Sequence, residues 1–281
     1  MKILIYYIRN YGGVGRVMEE IIPLLKDKGF EVECISREDD LKCYSLLQSF
    51  FKIRNLIKRK KYDILFTQDW GCALPFIFKK NHCCLYHGMN INKIGRIFQK
   101  FVYFMMKRNL LVVSNNLKKK FPNAKVIPNG VNFNKFKDLG LKRDKLGWVY
   151  KKEEWNVDTI SMEDAFELAK SYGLELSVAN NIKPEDMNKW YNELKVFVNL
   201  PTWYTGFNLS WLEAKASGVP IIIGNENGIG CSEVLINYKK YTWENTVNKL
   251  LDIFYKTYEP VFNEKKFFKV DEEMRRGLII R

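Results

Sequence analysis

The sequence has no CxxC pair, no apolar run of membrane-spanning length and only two histidines in 281 residues. Six cysteines at 34, 43, 72, 83, 84 and 231 therefore indicate neither a zinc site nor a disulfide framework. The run "HCCLYH" (His82 to His87) mixes cysteine and histidine, but its apolar character reads as a buried strand rather than a metal site. A bilayer span needs roughly 18 consecutive apolar residues, and no stretch approaches that. The start "MKILIYYI" enters a strand-like run with no basic leader and no small-residue cleavage site, so the expected address is the cytoplasm. Internal repeats and low-complexity tracts are absent as well.

Acidic residues are scarce in one half only. Residues 1–140 carry 26 Lys+Arg against 11 Asp+Glu, a balance of +15, while residues 141–281 carry 20 against 21. Such asymmetry argues for two units, the first facing something anionic. Nucleic acid, a phospholipid surface and a charged substrate all satisfy it. No nucleic-acid-binding module is recognisable, so no nucleic-acid partner is expected.

What is present is a core-forming composition, 47% hydrophobic and 28% charged. Strand-like runs at 2–8, 30–36, 62–67, 82–87, 110–114 and 124–128 alternate with helical patterns, notably 12–29, closed by Gly29, and 43–61. The pattern restarts at 145–150, 174–180, 195–201 and 220–224. Ser161-Met-Glu-Asp164 reads as a capping box with Asp in the third position, and Lys183-Pro184-Glu185-Asp186 as the opening of another helix. Strand and helix in alternation mean parallel sheets covered by helices. The expected fold is α/β, two doubly wound domains facing across a cleft. The first would span 1–140 and the second 141–258, joined through the polar segment 134–144. The pattern of residues 259–281 assigns them to neither domain. Ligands of such sheets bind beyond the carboxyl ends of the strands.

Candidate residues fall at those ends. Gly12-Gly13-Val14-Gly15-Arg16 opens the first helix, where free amides and the helix dipole favour an anion such as a diphosphate. Met18 leaves the dinucleotide fingerprint incomplete and no Walker lysine follows, so a tight packing turn fits equally. His87 ends a strand, where imidazole can bond a sugar hydroxyl; His82, at the start of the same strand, reads as structural. Lys151 and Lys152 follow a strand and can neutralise a leaving diphosphate, or be merely solvated. Thr205-Gly206-Phe207-Asn208 precede a helix carrying Glu213, whose carboxylate can accept both hydroxyls of a ribose. Two helices, 45–61 and 94–109, are amphipathic and basic. Each either lies on an anionic membrane or packs its apolar stripe on the sheet with its cations solvated.

Taken together, "GGVGR", His87-Gly88, "VVSNNLKKKF", "VIPNGVNFNKF" and "GFNLSWLEAKASGVPIII" resemble motifs of the family-4 (group 1) glycosyltransferases, in the family's order over about 220 residues. The resemblance implies the GT-B fold, two Rossmann-like domains, and a UDP-, GDP- or ADP-sugar donor. It implies transfer with retention, no metal and no other cofactor. It also implies that residues 259–281 return to the first domain. His87, Lys151 and Thr205 would act at the reacting centre. Gly13, Gly15, Lys152, Gly206, Phe207, Asn208, Leu209 and Glu213 would bind the donor, and Arg16 and Asp69 would lie on the acceptor side. The acceptor would be a glycan or lipid-linked hydroxyl, with the enzyme peripheral on the inner membrane face. The sequence departs from the family in three places. Thr205 replaces the first glutamate of Glu-x7-Glu, Asn156 stands at the expected second cation, and the second half is one strand-helix unit short. A non-catalytic module that binds sugar nucleotides or glycans fits the same motifs.

Overall fold

The computed structural model describes residues 1–10, 12–58, 60–89, 92–106, 109–149, 161–180, 182–199, 208–222 and 236–258. Six parallel strands make the first sheet: β1 (Lys2–Tyr7), β2 (Glu31–Ser36), β3 (Ile64–Gln68), β4 (His82–Tyr86), β5 (Leu110–Val112) and β6 (Lys125–Val126). Their order is β2-β1-β3-β4-β5-β6. The chain leaves β1 for β2 on one side and returns to β3 on the other, so the switch point lies between β1 and β3. Buried on both faces, β1, β3 and β4 read as nearly continuous apolar runs.

The second sheet has four described strands in the order β10-β9-β7-β8, again all parallel. They are β7 (Lys145–Val149), β8 (Glu175–Ala179), β9 (Leu194–Val198) and β10 (Ile221–Ile222). Its switch point lies between β7 and β9.

Nine helices are described: α1 (Gly12–Asp27), α2 (Leu46–Ile57), α3 (Asp69–Ala73), α4 (Lys93–Met105), α5 (Asn115–Lys120), α6 (Met162–Ser171), α7 (Met187–Asn192), α8 (Leu209–Ala216) and α9 (Trp243–Tyr258). Local chemistry sets several of their ends. Gly29 stops the chain after α1 at φ +83°, which glycine adopts without strain. The Ser161 hydroxyl accepts from the Asp164 amide (3.1 Å) and donates to its carboxylate (2.9 Å), giving the expected cap of α6. The helix expected from Lys183 begins later. Residues 183–186 close a turn, with the Asp186 amide on Lys183 O (3.0 Å), before α7 starts at Met187.

One assignment by sequence is corrected. The segment 243–258 was expected in the second domain, but α9 packs on α1, β3 and β4 of the first. Phe254 meets Phe66 with ring centroids 5.4 Å apart, Thr257 Oγ1 lies 3.4 Å from Cys83 Sγ, and Tyr258 donates to Asp63 Oδ1 (3.0 Å). The reason is burial: Val247, Leu250, Leu251, Ile253 and Phe254 form the apolar stripe of α9, and the first sheet offers the matching face. Residues 259–281 lie outside the described residues.

The chain passes between the two sheets twice, and the passages run side by side. The Val131 amide donates to Tyr241 O (2.9 Å), and Thr246 Oγ1 donates to Pro128 O (2.8 Å). Gly130 permits the approach, since a Cβ there would stand 2.4 Å from the Trp243 nitrogen. The linker changes allegiance between Lys135 and Lys137. Asn132 and Lys135 bind Glu20 of α1 (3.3 and 2.7 Å), whereas the Lys137 and Leu139 amides donate to Asn188 and Asn192 of α7 (3.1 and 2.7 Å).

Candidate functional site

The two switch points open toward one cleft, and α1 and α8 meet across it. Arg16, in the second turn of α1, forms an ion pair with Glu213 of α8. Glu213 is only 4% exposed and also accepts from the Tyr191 hydroxyl (3.1 Å). A carboxylate so enclosed needs such donors, because an unpaired buried charge is costly. Burial raises the Tyr191 phenol above its ordinary range, and the Arg16 charge opposes that rise. A recess beside the pair is lined by Glu20, Asn132, Lys135, Leu209 and Trp243 among others.

The mouth of α8 is open chemically. Asn208 stands at its N-cap with extended backbone, and its side chain makes no capping bond. The Trp211 amide bonds back to Asn208 O (3.1 Å), and among the described residues no side chain caps the Leu209 and Ser210 amides. The start of α1 likewise carries no acidic residue in its first turn. Its two expected glycines differ. Among the described residues a Cβ on Gly13 would meet nothing within 4 Å, so this residue leaves space above the helix start. A Cβ on Gly15 would lie 2.2 Å from Asn10 O, so Gly15 is required by packing of the β1–α1 turn.

At the carboxyl ends of β3 and β4 lie Gln68, Asp69 and His87. The Gln68 amide nitrogen donates to Met18 Sδ (3.1 Å), which turns its oxygen toward His87 Nε2 at 2.9 Å. His87 is therefore the Nε2–H tautomer, with Nδ1 the acceptor. Burial holds its pKa down to about 4, so the ring is neutral at physiological pH. Asp69 is half-buried with φ +65°, an uncommon conformation for a residue other than glycine, adopted where β3 turns into α3. Burial raises its carboxyl to about 6, against the pull of Arg37.

The structure thus joins Arg16 to Glu213 directly and links α1 to His87 through Met18 and Gln68. Arg16, expected on the acceptor side, is bound to the expected ribose ligand. Leu209 lines the recess beside them. Lys151, Lys152, Thr205, Gly206 and Phe207 lie outside the described residues. His82 is fully buried, with ring nitrogens 2.8 Å from Thr67 Oγ1 and 3.1 Å from Phe76 O, and is structural as read. Sequence reasoning missed Tyr191, Gln68, Glu20 and Trp243, none of which carries a local motif. Asn132 and Lys135 sit inside the "VIPNGVNFNKF" signal without having been singled out.

Neither a protein-family model nor a curated protein sequence matches the chain. Solved structures do match. A glycosyltransferase from Rickettsia africae superposes with a TM-score of 0.62 at 17% identity, covering 91% of this chain and 98% of that one. A sucrose-phosphate synthase from Thermosynechococcus elongatus gives 0.57 at 12% identity, covering 99% of both. HepE from Anabaena, solved with UDP and glucose, gives 0.54 at 12% identity, again over 99% of both. This chain has the GT-B fold. The GT-B architecture also hosts other chemistry, since a UDP-GlcNAc 2-epimerase from Neisseria meningitidis matches at 0.52 with 11% identity. Function must therefore be argued from the cleft.

Proposed function

We propose that this chain is a retaining glycosyltransferase of the family-4 type. It moves a sugar from a UDP-, GDP- or ADP-sugar to a hydroxyl of a glycan or lipid-linked acceptor, without a metal. The meeting of Arg16 and Glu213 across the cleft carries the reading. It sets an enclosed carboxylate, suited to the two hydroxyls of a ribose, beside a guanidinium suited to a diphosphate. In the bound state Glu213 takes the ribose, and Arg16 turns to the phosphates. The N-terminal amides of α8 at Leu209 and Ser210 and the space above Gly13 receive the rest of the anion. Lys151 and Lys152 add charge to the leaving group. Thr205, with the amides of Gly206 and Phe207, bonds the sugar, whose hydroxyl donates to His87 Nδ1.

Asp69 lies toward the acceptor, whose hydroxyl it orients. The bond between the anomeric carbon and the diphosphate oxygen breaks, and the acceptor oxygen bonds to the same face of that carbon. The acceptor proton leaves with the diphosphate. Charge stabilisation rather than a strong base is the requirement of such a step. Structures of relatives with UDP and with UDP-glucose support the donor class.

The test is a panel of UDP-, GDP- and ADP-sugars, read by binding and by donor hydrolysis. At least one is expected to bind and turn over, and silence toward all of them would remove the proposal. Binding without turnover would favour the non-catalytic module, for which the missing carboxylate at Thr205 is the specific reason. With an active donor, Glu213→Ala is expected to lower kcat/KM about 10- to 150-fold, since hydrogen bonds to a charged group contribute about 1.5–3 kcal/mol.

A further inference from the structure

Helix α4 is packed the wrong way round for a helix of a sheet protein. Its buried residues are Gly95, Gln99 and Val102, while its large apolar side chains face outward. Ile94 is 63% exposed, Ile97 60%, Phe98 43%, Phe101 45%, Phe104 64% and Met105 37%. Their spacing of i, i+3, i+4, i+7, i+10 and i+11 gathers them into one stripe of about 120° at about 100° per residue. Lys93, Arg96 and Lys100 follow one flank of the stripe, and the buried face lies along the other. Helix α2 differs, for it mixes exposed Leu47 and Phe51 with buried Ile53 and forms no comparable stripe.

The surroundings of α4 carry charge of one sign. From Trp70 to Lys137 the chain contains no Asp or Glu and 13 Lys+Arg. Beyond the C-terminal end of α4, Asn109 Nδ2 donates to Lys80 O (3.3 Å), which places exposed Phe78, Lys79 and Lys80 nearby. Midway along α4 Phe98 stacks on Trp70, with centroids 5.4 Å apart and planes 10° from parallel. Trp70 follows Asp69, so the stripe runs beside the Asp69 side of the cleft.

We propose that the outward face of α4 docks on an anionic lipid bilayer, with Ile94, Ile97, Phe101 and Phe104 in the interface and Lys93, Arg96 and Lys100 among the headgroups. Exposed aromatic and aliphatic side chains in a row, with cations alongside, are the composition of a helix lying in the plane of a membrane interface. Charge complementarity selects this occupant over a second copy of the chain. Two such faces brought together would set cation against cation, with no acid in 70–137 to pair with them. Docked in this way, the protein holds the Asp69 side of the cleft at the lipid surface. A lipid-linked acceptor would enter there, a consequence that rests on the glycosyl-transfer reading.

Flotation of the full chain with neutral phosphatidylcholine vesicles, and with vesicles containing phosphatidylglycerol, tests the docking directly. At about 0.1 M salt, binding to the anionic vesicles is expected to be at least tenfold tighter, and to fall steeply at about 0.5 M. The double variant Ile97→Asp/Phe101→Asp is expected to lose at least tenfold of this binding, while sugar-nucleotide binding stays unchanged. Lys93→Gln/Lys100→Gln is expected to weaken it several-fold and reduce the salt dependence. Hydrogen exchange of the unaltered protein on vesicles supplies a readout free of folding defects, with protection expected over 93–105. No flotation with anionic vesicles, flotation unaffected by Ile97→Asp/Phe101→Asp, or no protection at α4 would each overturn the proposal. So would a dimer in solution that this variant abolishes, because the face would then belong to a second copy. Donor binding is measured separately, so either proposal can fail alone.

Discussion

The glycines and titratable groups of the first sheet each make a separate demand. Gly15 has Asn10 O where a side chain would begin, whereas Gly13 has open space. Gly15→Ala is expected to destabilise the fold by about 1–3 kcal/mol through forced backbone shifts, seen as a lower urea midpoint. Gly13→Ala is expected to leave that midpoint unchanged or raise it, alanine being the better helix former by up to about 1 kcal/mol, while weakening donor binding. Among the described residues three buried groups with large shifts bear on stability between pH 6.5 and 4. His87 and His82 have folded pKa values of about 4 and about 3 against a reference of 6.5. Between pH 6.5 and those values the unfolded chain holds more protons, so both histidines make the fold lose stability on acidification. Asp69, raised to about 6 from 3.8, acts in the opposite sense: its contribution is present below 3.8 and is lost as pH rises through about 6. Two groups outweigh one, so stability is expected to fall from pH 6.5 toward 4. Asp69→Asn removes the counterweight and is expected to steepen that fall in urea titrations at stepped pH. An unchanged profile in the variant would show that Asp69 ionises at its ordinary value, and a flatter one that its carboxyl is lowered rather than raised.

At the level of elements, α9 and α4 show how little an amphipathic pattern says about its partner. Both have an apolar stripe at helical spacing. That of α9 fills the first sheet's outer face, with Phe254 fully buried against Phe66, while that of α4 stays in solvent. Phe254→Ala is expected to cost about 3–5 kcal/mol, the usual range for emptying a phenylalanine site. Because α9 belongs to the first sheet, the loss is expected there. Exchange protection should drop in β3 and β4 and persist in β7 and β9. Equal loss in both sheets would argue that the two unfold as one unit.

For the molecule as a whole, the decisive contact is the ion pair that spans the cleft. Arg16 has 36% of its side chain exposed and Glu213 6%. Breaking a fully buried pair costs about 3–5 kcal/mol, which solvent screening at Arg16 reduces to about 1–3 kcal/mol. Arg16→Met is expected to show that loss. The double variant Arg16→Met/Glu213→Leu is expected to recover most of it, since no charge is then left enclosed. Additive losses in the double variant would mean that the two side chains do not act as a pair. The passages at Gly130 and Trp243 run beside this contact, so the two units are tied at the hinge and again at the cleft.

Strand order along the chain was legible without coordinates because buried parallel strands announce themselves as apolar runs between glycine and cap signals, as in "KILIYY" and Ser161 to Asp164. That Gly13 and Gly15 fall in the first turns of a helix, His87 just past a strand and Glu213 within a helix was legible too, since glycine turns and strand ends are read locally. The partners were not. That Arg16 would reach Glu213, that Gln68 would fix the tautomer of His87, and that Tyr191 would close over a carboxylate 22 residues away depend on how two sheets face each other. So do the burial of one amphipathic helix and the exposure of another. Periodicity records only that a helix has an apolar side; which surface receives it is decided by contacts between segments far apart in the chain.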